Sequence, residues 1–133
     1  MQAAGYTLSE ITPLPFEAAV ERVRTELAGE GFGVLCEIDV QATLREKLAE
    51  EIEPYLILGA CNPPYAHRAL QAEPDLGALL PCNVVVYEQG GTTHVSAVDP
   101  VAMLGIVGNP ELDPIAQEIR VRVERAVEQV WEA

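Results

Sequence analysis

CNVVVYEQGGTTHVSAV, from Cys82 to Val98, is the stretch on which the fold turns. Cys82 to Tyr87 is an apolar, β-branched run and reads as a strand buried on both faces. Gly90-Gly91 follows, and a Gly-Gly pair between two strand-like runs is a hairpin signal, because both turn residues tolerate positive φ. Thr92 to Val98 is therefore expected to return antiparallel beside it.

Outward from this hairpin, the preceding segments alternate between strands and helices. Tyr6 to Ile11 reads as a first strand, closed by Pro13 and Pro15. Phe16, Ala19, Val20, Val23 and Leu27 then recur at helical spacing, with Glu17, Glu21, Arg24 and Glu26 between them and Gly29 and Gly31 as the stop. Phe32 to Val40 reads as a second strand and Thr43 to Glu53 as a short helix carrying Leu44, Leu48 and Ile52, ended by Pro54. Tyr55 to Cys61 reads as a third strand and Pro64 to Glu73 as another short helix. Beyond the hairpin, Leu112, Ile115, Ala116, Ile119, Val123, Ala126, Val127 and Val130 form one helical stripe that should lie across a sheet. The fold class is α+β, with the 133 residues (1–133) as a single domain and no internal repeat.

Charge narrows the function classes. Eight basic residues against twenty-one acidic ones give a net charge of −13, a field that repels phosphate backbones and anionic lipid surfaces. We expect no nucleic acid and no membrane partner. No apolar run approaches the roughly 20 residues needed to span a bilayer, and no basic cluster precedes an apolar stretch at Met1 to Gly5. A cytoplasmic protein is expected. Three cysteines without a CxxC pair fit neither a disulfide scaffold nor a zinc motif. No phosphate-binding glycine loop, nucleophile elbow, HExxH helix or dinucleotide fingerprint is present, so the common enzyme classes have no positive support and the sequence leaves any cofactor unknown.

The segments Gly31-Phe32-Gly33-Val34-Leu35 through Glu37-Ile38-Asp39-Val40, Leu58-Gly59-Ala60-Cys61-Asn62-Pro63, Leu80-Pro81-Cys82-Asn83-Val84-Val85-Val86-Tyr87 and Asp99-Pro100 resemble the domain of unknown function 302 family over nearly the whole chain. The resemblance implies a β-α-β(4)-α outline similar to the TATA-binding-protein-like fold, with an antiparallel sheet backed by helices and a homodimeric assembly. It also implies that Cys36 stands where the family more often has threonine. Sharing that outline implies nothing about DNA, because fold does not dictate function.

If the third, fourth and fifth strands form a meander, Cys61, Cys82, Asn83 and Asp99 converge at one sheet end. Met103 follows Asp99 by about one helical turn if Pro100 starts a helix. Two thiols and a thioether suit a soft ion such as Cu(I), which makes Cys61 and Cys82 the candidate metal ligands. The set Cys61, Cys82, Asn83, Asp99 and Met103 equally describes a small-ligand pocket. A helix amino terminus after Cys61 would favour its thiolate.

Each assignment has a plainer counterpart. Cys61 and Cys82 also fit small buried packing residues or a thiol-disulfide redox pair. Asp99 fits a helix cap, and Asn83 a loop tie. Cys36, in the middle of an apolar strand, is expected to be buried and inert. His67, on the short helix after Cys61, is a candidate neighbour of the pocket, whereas His94 belongs at the opposite sheet end. Glu50, Glu51 and Glu53 read as a solvated face. Three functions stay open: a dimeric protein binding a small ligand or soft metal, a redox protein using Cys61 and Cys82, and a purely structural or interaction protein.

Overall fold

The structure, a computed structural model, describes residues 2–3 and 5–131. Its elements run β1 (Gln2–Ala3), β2 (Thr7–Thr12), α1 (Phe16–Gly29), β3 (Gly33–Asp39), α2 (Val40–Leu48), β4 (Tyr55–Cys61) and α3 (Pro63–Ala72). A 3-10 segment, Pro74–Leu79, leads through a cis Leu80–Pro81 peptide into β5 (Cys82–Gln89). Then come β6 (Thr92–Val98), α4 (Pro100–Gly105), a 3-10 turn at Pro110–Leu112 and α5 (Asp113–Trp131). Among the described residues the strands form one antiparallel sheet in the order β1-β2-β6-β5-β4-β3. The α+β class, the antiparallel sheet and the backing helices expected from the sequence are all present.

The Gly-Gly turn sets the register of the centre. Gly90 and Gly91 adopt φ of +59° and +80°, so Gln89 faces Thr92 and Val84 faces Ala97. A side chain at either turn position would be strained there, since L residues favour negative φ. Propagated across the sheet, this register puts Leu8, Leu58, Ala60, Val84, Val86, Val95 and Ala97 on one face, all buried.

That face is covered by α1 and α5. The stripe on α5 is buried as its spacing predicts, from Ile115 through Val130, with Leu112 in the turn before it. On α1, Ala19, Val20, Val23 and Leu27 are buried, and Phe16 packs at the margin. Each fully buried Val, Leu or Ile contributes about 1.5–3 kcal/mol relative to exposure, so these two stripes dominate the core. The buried Thr12 Oγ1 donates to the Val130 carbonyl at 3.3 Å and joins the end of β2 to the end of α5.

Three expectations are corrected. The helix expected over 43–53 is α2, at 40–48. Asp39 accepts a hydrogen bond from Ala42 N at 2.9 Å and starts it early, and Ala49 in the left-handed region (φ +55°) ends it. The run Cys82 to Tyr87 is buried on one face only, with Val84 and Val86 in the core and Val85 and Tyr87 on the other side. Cys36 is exposed rather than buried. It lies on β3, which is an edge strand and has no buried residue. A β-bulge interrupts β3 between Val34 and Cys36.

Candidate functional site

Where β4 ends and β5 begins, Ala60 pairs with Cys82 across the ladder. Over this sheet end, α3, the 3-10 segment at 74–79 and α4 form a cap, and between cap and sheet lies a half-open cavity of about 270 Å³. Its walls are almost wholly apolar. Phe32, Leu76, Leu104 and Ile119 supply its deep side, and Leu35, Leu70 and Leu80 its rim.

Three of the expected site residues, Cys61, Cys82 and Met103, line this one cavity. Cys82 is buried and Cys61 half-buried. Burial pushes both thiols toward the neutral form: Cys61 above the ordinary 9.0, and Cys82 up to about 11, with the neighbouring Cys61 adding to its shift. The lowering expected for Cys61 from the start of α3 is thus outweighed by desolvation. Near neutral pH both groups are thiols, weak hydrogen-bonders that behave as small apolar surface.

The other two expected residues do not line the cavity. Asn83 pairs with Gly59 and points to the opposite sheet face, where it is exposed. Alternation along β5 separates it from Cys82 by one residue and hence by one face. Asp99 does arrive at this sheet end, but its carboxylate is engaged elsewhere. One oxygen accepts from Val101 N at 2.9 Å as the cap of α4, and the other accepts from Arg120 Nε at 3.3 Å. Asp99 is therefore a capping residue here. His67 is exposed on α3, and His94 stacks on Tyr87 at the far end of the sheet. Among the described residues no group of three or more His, Cys, Asp or Glu is placed to hold a metal ion, so any metal here would rest on the three sulfurs.

The sequence did not single out Asn62, the one side-chain amide in the lining. It is buried, and its Nδ2 donates to the Glu30 carbonyl at 3.1 Å. The facing Gly31 has φ +88°, and a Cβ there would lie 3.1 Å from Asn62 Nδ2. Asn before Pro-Pro carries the signal of a helix cap, yet this side chain makes no capping bond; it fastens the start of α3 to the turn between α1 and β3. The apolar linings Leu76 and Leu80 were also missed, because their segment has neither helical nor strand periodicity.

At the cavity's sheet edge, Gly59 admits close neighbours. A Cβ at this position would lie 2.6 Å from Cys36 Sγ and 2.8 Å from Pro81 Cγ. Both distances are shorter than real Cβ contacts, so the absent side chain lets Pro81 close over β4 beside Cys61.

No helix of the described residues is long and apolar enough to cross a membrane. The family model described as domain of unknown function DUF302 matches residues 8–130. An uncharacterized protein of Aquifex aeolicus (strain VF5) is 25% identical over 122 residues, covering 90% of this chain and 77% of that protein. The crystal structure of an uncharacterized conserved DUF302 protein from Bacillus stearothermophilus superposes with a TM-score of 0.90 at 32% identity, covering 96% of this chain and 99% of that one.

Proposed function

Starting from a chain that belongs to the DUF302 family, we propose that it is a binding protein, not an enzyme, and that its cavity under α3 takes up a small uncharged apolar molecule. The observation that carries this reading is the lining: about 270 Å³ bounded almost wholly by apolar side chains, with two thiols that burial pushes toward the neutral form. An apolar cavity of about 150 Å³ already holds benzene, so this one suits a compact ring or short branched chain somewhat larger. The half-open mouth supplies entry.

A second reading has its own observation. Cys61, Cys82 and Met103 bring three sulfurs to one cavity, a donor set that suits Cu(I). Such an ion would have to displace protons from thiols whose burial opposes ionisation, so it binds more weakly at low pH than at high pH. A redox pair is disfavoured on the same ground, because thiolate is the reacting species in exchange. Three free thiols suit a reducing compartment such as the cytoplasm.

The test is an NMR titration of the full chain with benzene, indole and, separately, Cu(I). Benzene or indole should shift the amides around Ala60, Ala66, Leu76 and Leu104 saturably, and Ala66→Phe, which fills the cavity, should abolish the effect while the remaining spectrum stays folded. Saturable stoichiometric Cu(I) uptake that Cys61→Ser/Cys82→Ser removes would favour the second reading. No saturable response to any of the three probes refutes both.

A further inference from the structure

Asn62-Pro63-Pro64 joins the end of β4 to the start of α3. An asparagine before a helix ordinarily turns its side-chain oxygen toward the free amides of the first turn. Here Pro63 and Pro64 have no N–H to give, and the Asn62 side chain makes no capping bond. Its Nδ2 donates instead to the Glu30 carbonyl at 3.1 Å. A carbonyl only accepts, so the amide nitrogen faces Glu30 and the amide oxygen faces away from it. That oxygen, Oδ1, accepts no hydrogen bond from any described residue.

The amide is held in this orientation. Turning it over would break the bond to Glu30 and set two oxygens against each other. The backbone at Gly31 packs against it so closely that a Cβ there would lie 3.1 Å from Nδ2 and 3.7 Å from Oδ1. Arg122 steadies the same point, with Nη1 donating to the Glu30 carbonyl at 3.3 Å and Nε to the Tyr65 hydroxyl on α3 at 3.2 Å. Asn62 is only 7% exposed, and it lines the cavity under α3. None of the other lining side chains is charged or carries a hydroxyl or an amide. The thiols and the thioether are weak partners. Among its side chains the cavity therefore offers one strong polar atom without a partner, and that atom is an acceptor.

We propose that Asn62 Oδ1 selects the ligand: the cavity takes an uncharged ring of phenol or indole size that carries one O–H or N–H, and Asn62 accepts the hydrogen bond from it. This rests on the small-molecule reading of the cavity and narrows its chemical class. A buried acceptor without a donor is costly, and a ligand that brings the donor removes that cost, whereas a hydrocarbon of the same shape leaves it in place. A carboxylate or ammonium group would need a countercharge that the lining lacks. The rest of the ligand meets only apolar surface, so one donor at one end and an apolar body fit the site. The volume of about 270 Å³ admits such a ring, since about 150 Å³ already holds benzene.

Phenol and toluene have the same shape and differ by a hydroxyl against a methyl group, so titrating the full chain with each near neutral pH, read by NMR, tests this. A cavity with apolar walls alone favours toluene, which leaves water more readily. The expected result is that phenol binds the wild type at least as tightly as toluene. In Asn62→Leu toluene should still bind, and the ratio of phenol to toluene affinity should fall by about tenfold or more. The Glu30 carbonyl keeps its bond from Arg122 in that variant. Should the variant still fail to fold, the wild type carries the test through the Asn62 side-chain Cγ resonance, which phenol should shift and toluene should not. Saturable toluene binding with phenol tenfold or more weaker, an unchanged ratio in folded Asn62→Leu, or a Cγ resonance indifferent to phenol would each overturn the role of Asn62 and leave the apolar cavity standing. Binding of neither ligand would overturn both.

Discussion

Alkaline pH should destabilise this protein through one thiol. Cys82 lies in the cavity floor with its pKa raised from the ordinary 9.0 to about 11, first by burial and then by Cys61. A group whose folded pKa is raised stabilises the fold fully below its unfolded value and loses that contribution as pH rises through the folded one. The window is therefore pH 9 to 11. Treating Cys82 as a single site, the loss relative to pH 7 is roughly 1 kcal/mol at pH 10 and roughly 2 kcal/mol at pH 11. Urea unfolding at pH 8, 9, 10 and 11 measures it, with Cys82→Ala as reference. The substitution lowers stability at pH 8 by removing buried volume, but the gap between the two proteins should shrink with pH and close or invert by pH 11. Subtracting the reference cancels the alkaline titrations the two share. A gap constant within error from pH 8 to 11 would show that ionising this thiol carries no penalty in the fold, and the neutral-cavity reading would lose its electrostatic basis.

Of the two cavity thiols, Cys61 should react with an aromatic disulfide reagent at pH 8 before Cys82, which is the more deeply buried; mass mapping of the modified peptides reads the order, and Cys82 reacting first would contradict it. Gly59→Ala should cost about 1–3 kcal/mol in urea unfolding, because the new Cβ meets both Cys36 Sγ and Pro81 Cγ. Adding Cys36→Ala should recover only part of the loss, since the Pro81 ring remains, and full recovery would assign the clash to Cys36 alone. Asp99→Ala should cost about 0.5–2 kcal/mol through the lost cap of α4 while leaving benzene and Cu(I) titrations unchanged; loss of binding in a folded variant would return Asp99 to the site.

What the sequence disclosed follows from which signals are local. The α5 stripe and the Gly90-Gly91 hairpin were legible because period and turn chemistry are written in neighbouring residues, and the hairpin then carried Cys82 and Asp99 to the same sheet end. Cys61 and Met103 were found because strand ends in a meander converge. Asn83 and Asp99 fall outside the cavity lining for different reasons. The face on which a residue falls depends on register, which turned Asn83 away, and a carboxylate's partner depends on tertiary placement, which gave Asp99 to Val101 and Arg120. Cys36 and the Val84-Val85-Val86 run show the same limit from the other side. An apolar run reads as burial on both faces, and nothing in it states that one sheet face lacks a cover within a single copy. The cavity's cap from Pro74 to Pro81 has no period at all.

The bulge between Val34 and Cys36 acts as a phase shift in β3. Val34 packs toward the helices, and strict alternation from there would send Glu37 and Asp39 outward and draw Cys36 and Ile38 in. The extra residue reverses this, so Glu37 meets Arg24 of α1 and both carboxylates stay off the open face. Leu35, at the irregularity, is also part of the cavity rim. Position 35 is thus the surplus residue of the strand: without it Val34 would still face Ala60 and Cys36 still face Gly59 in plain alternation, so the two acidic groups would keep their side, while the cavity would lose that part of its rim.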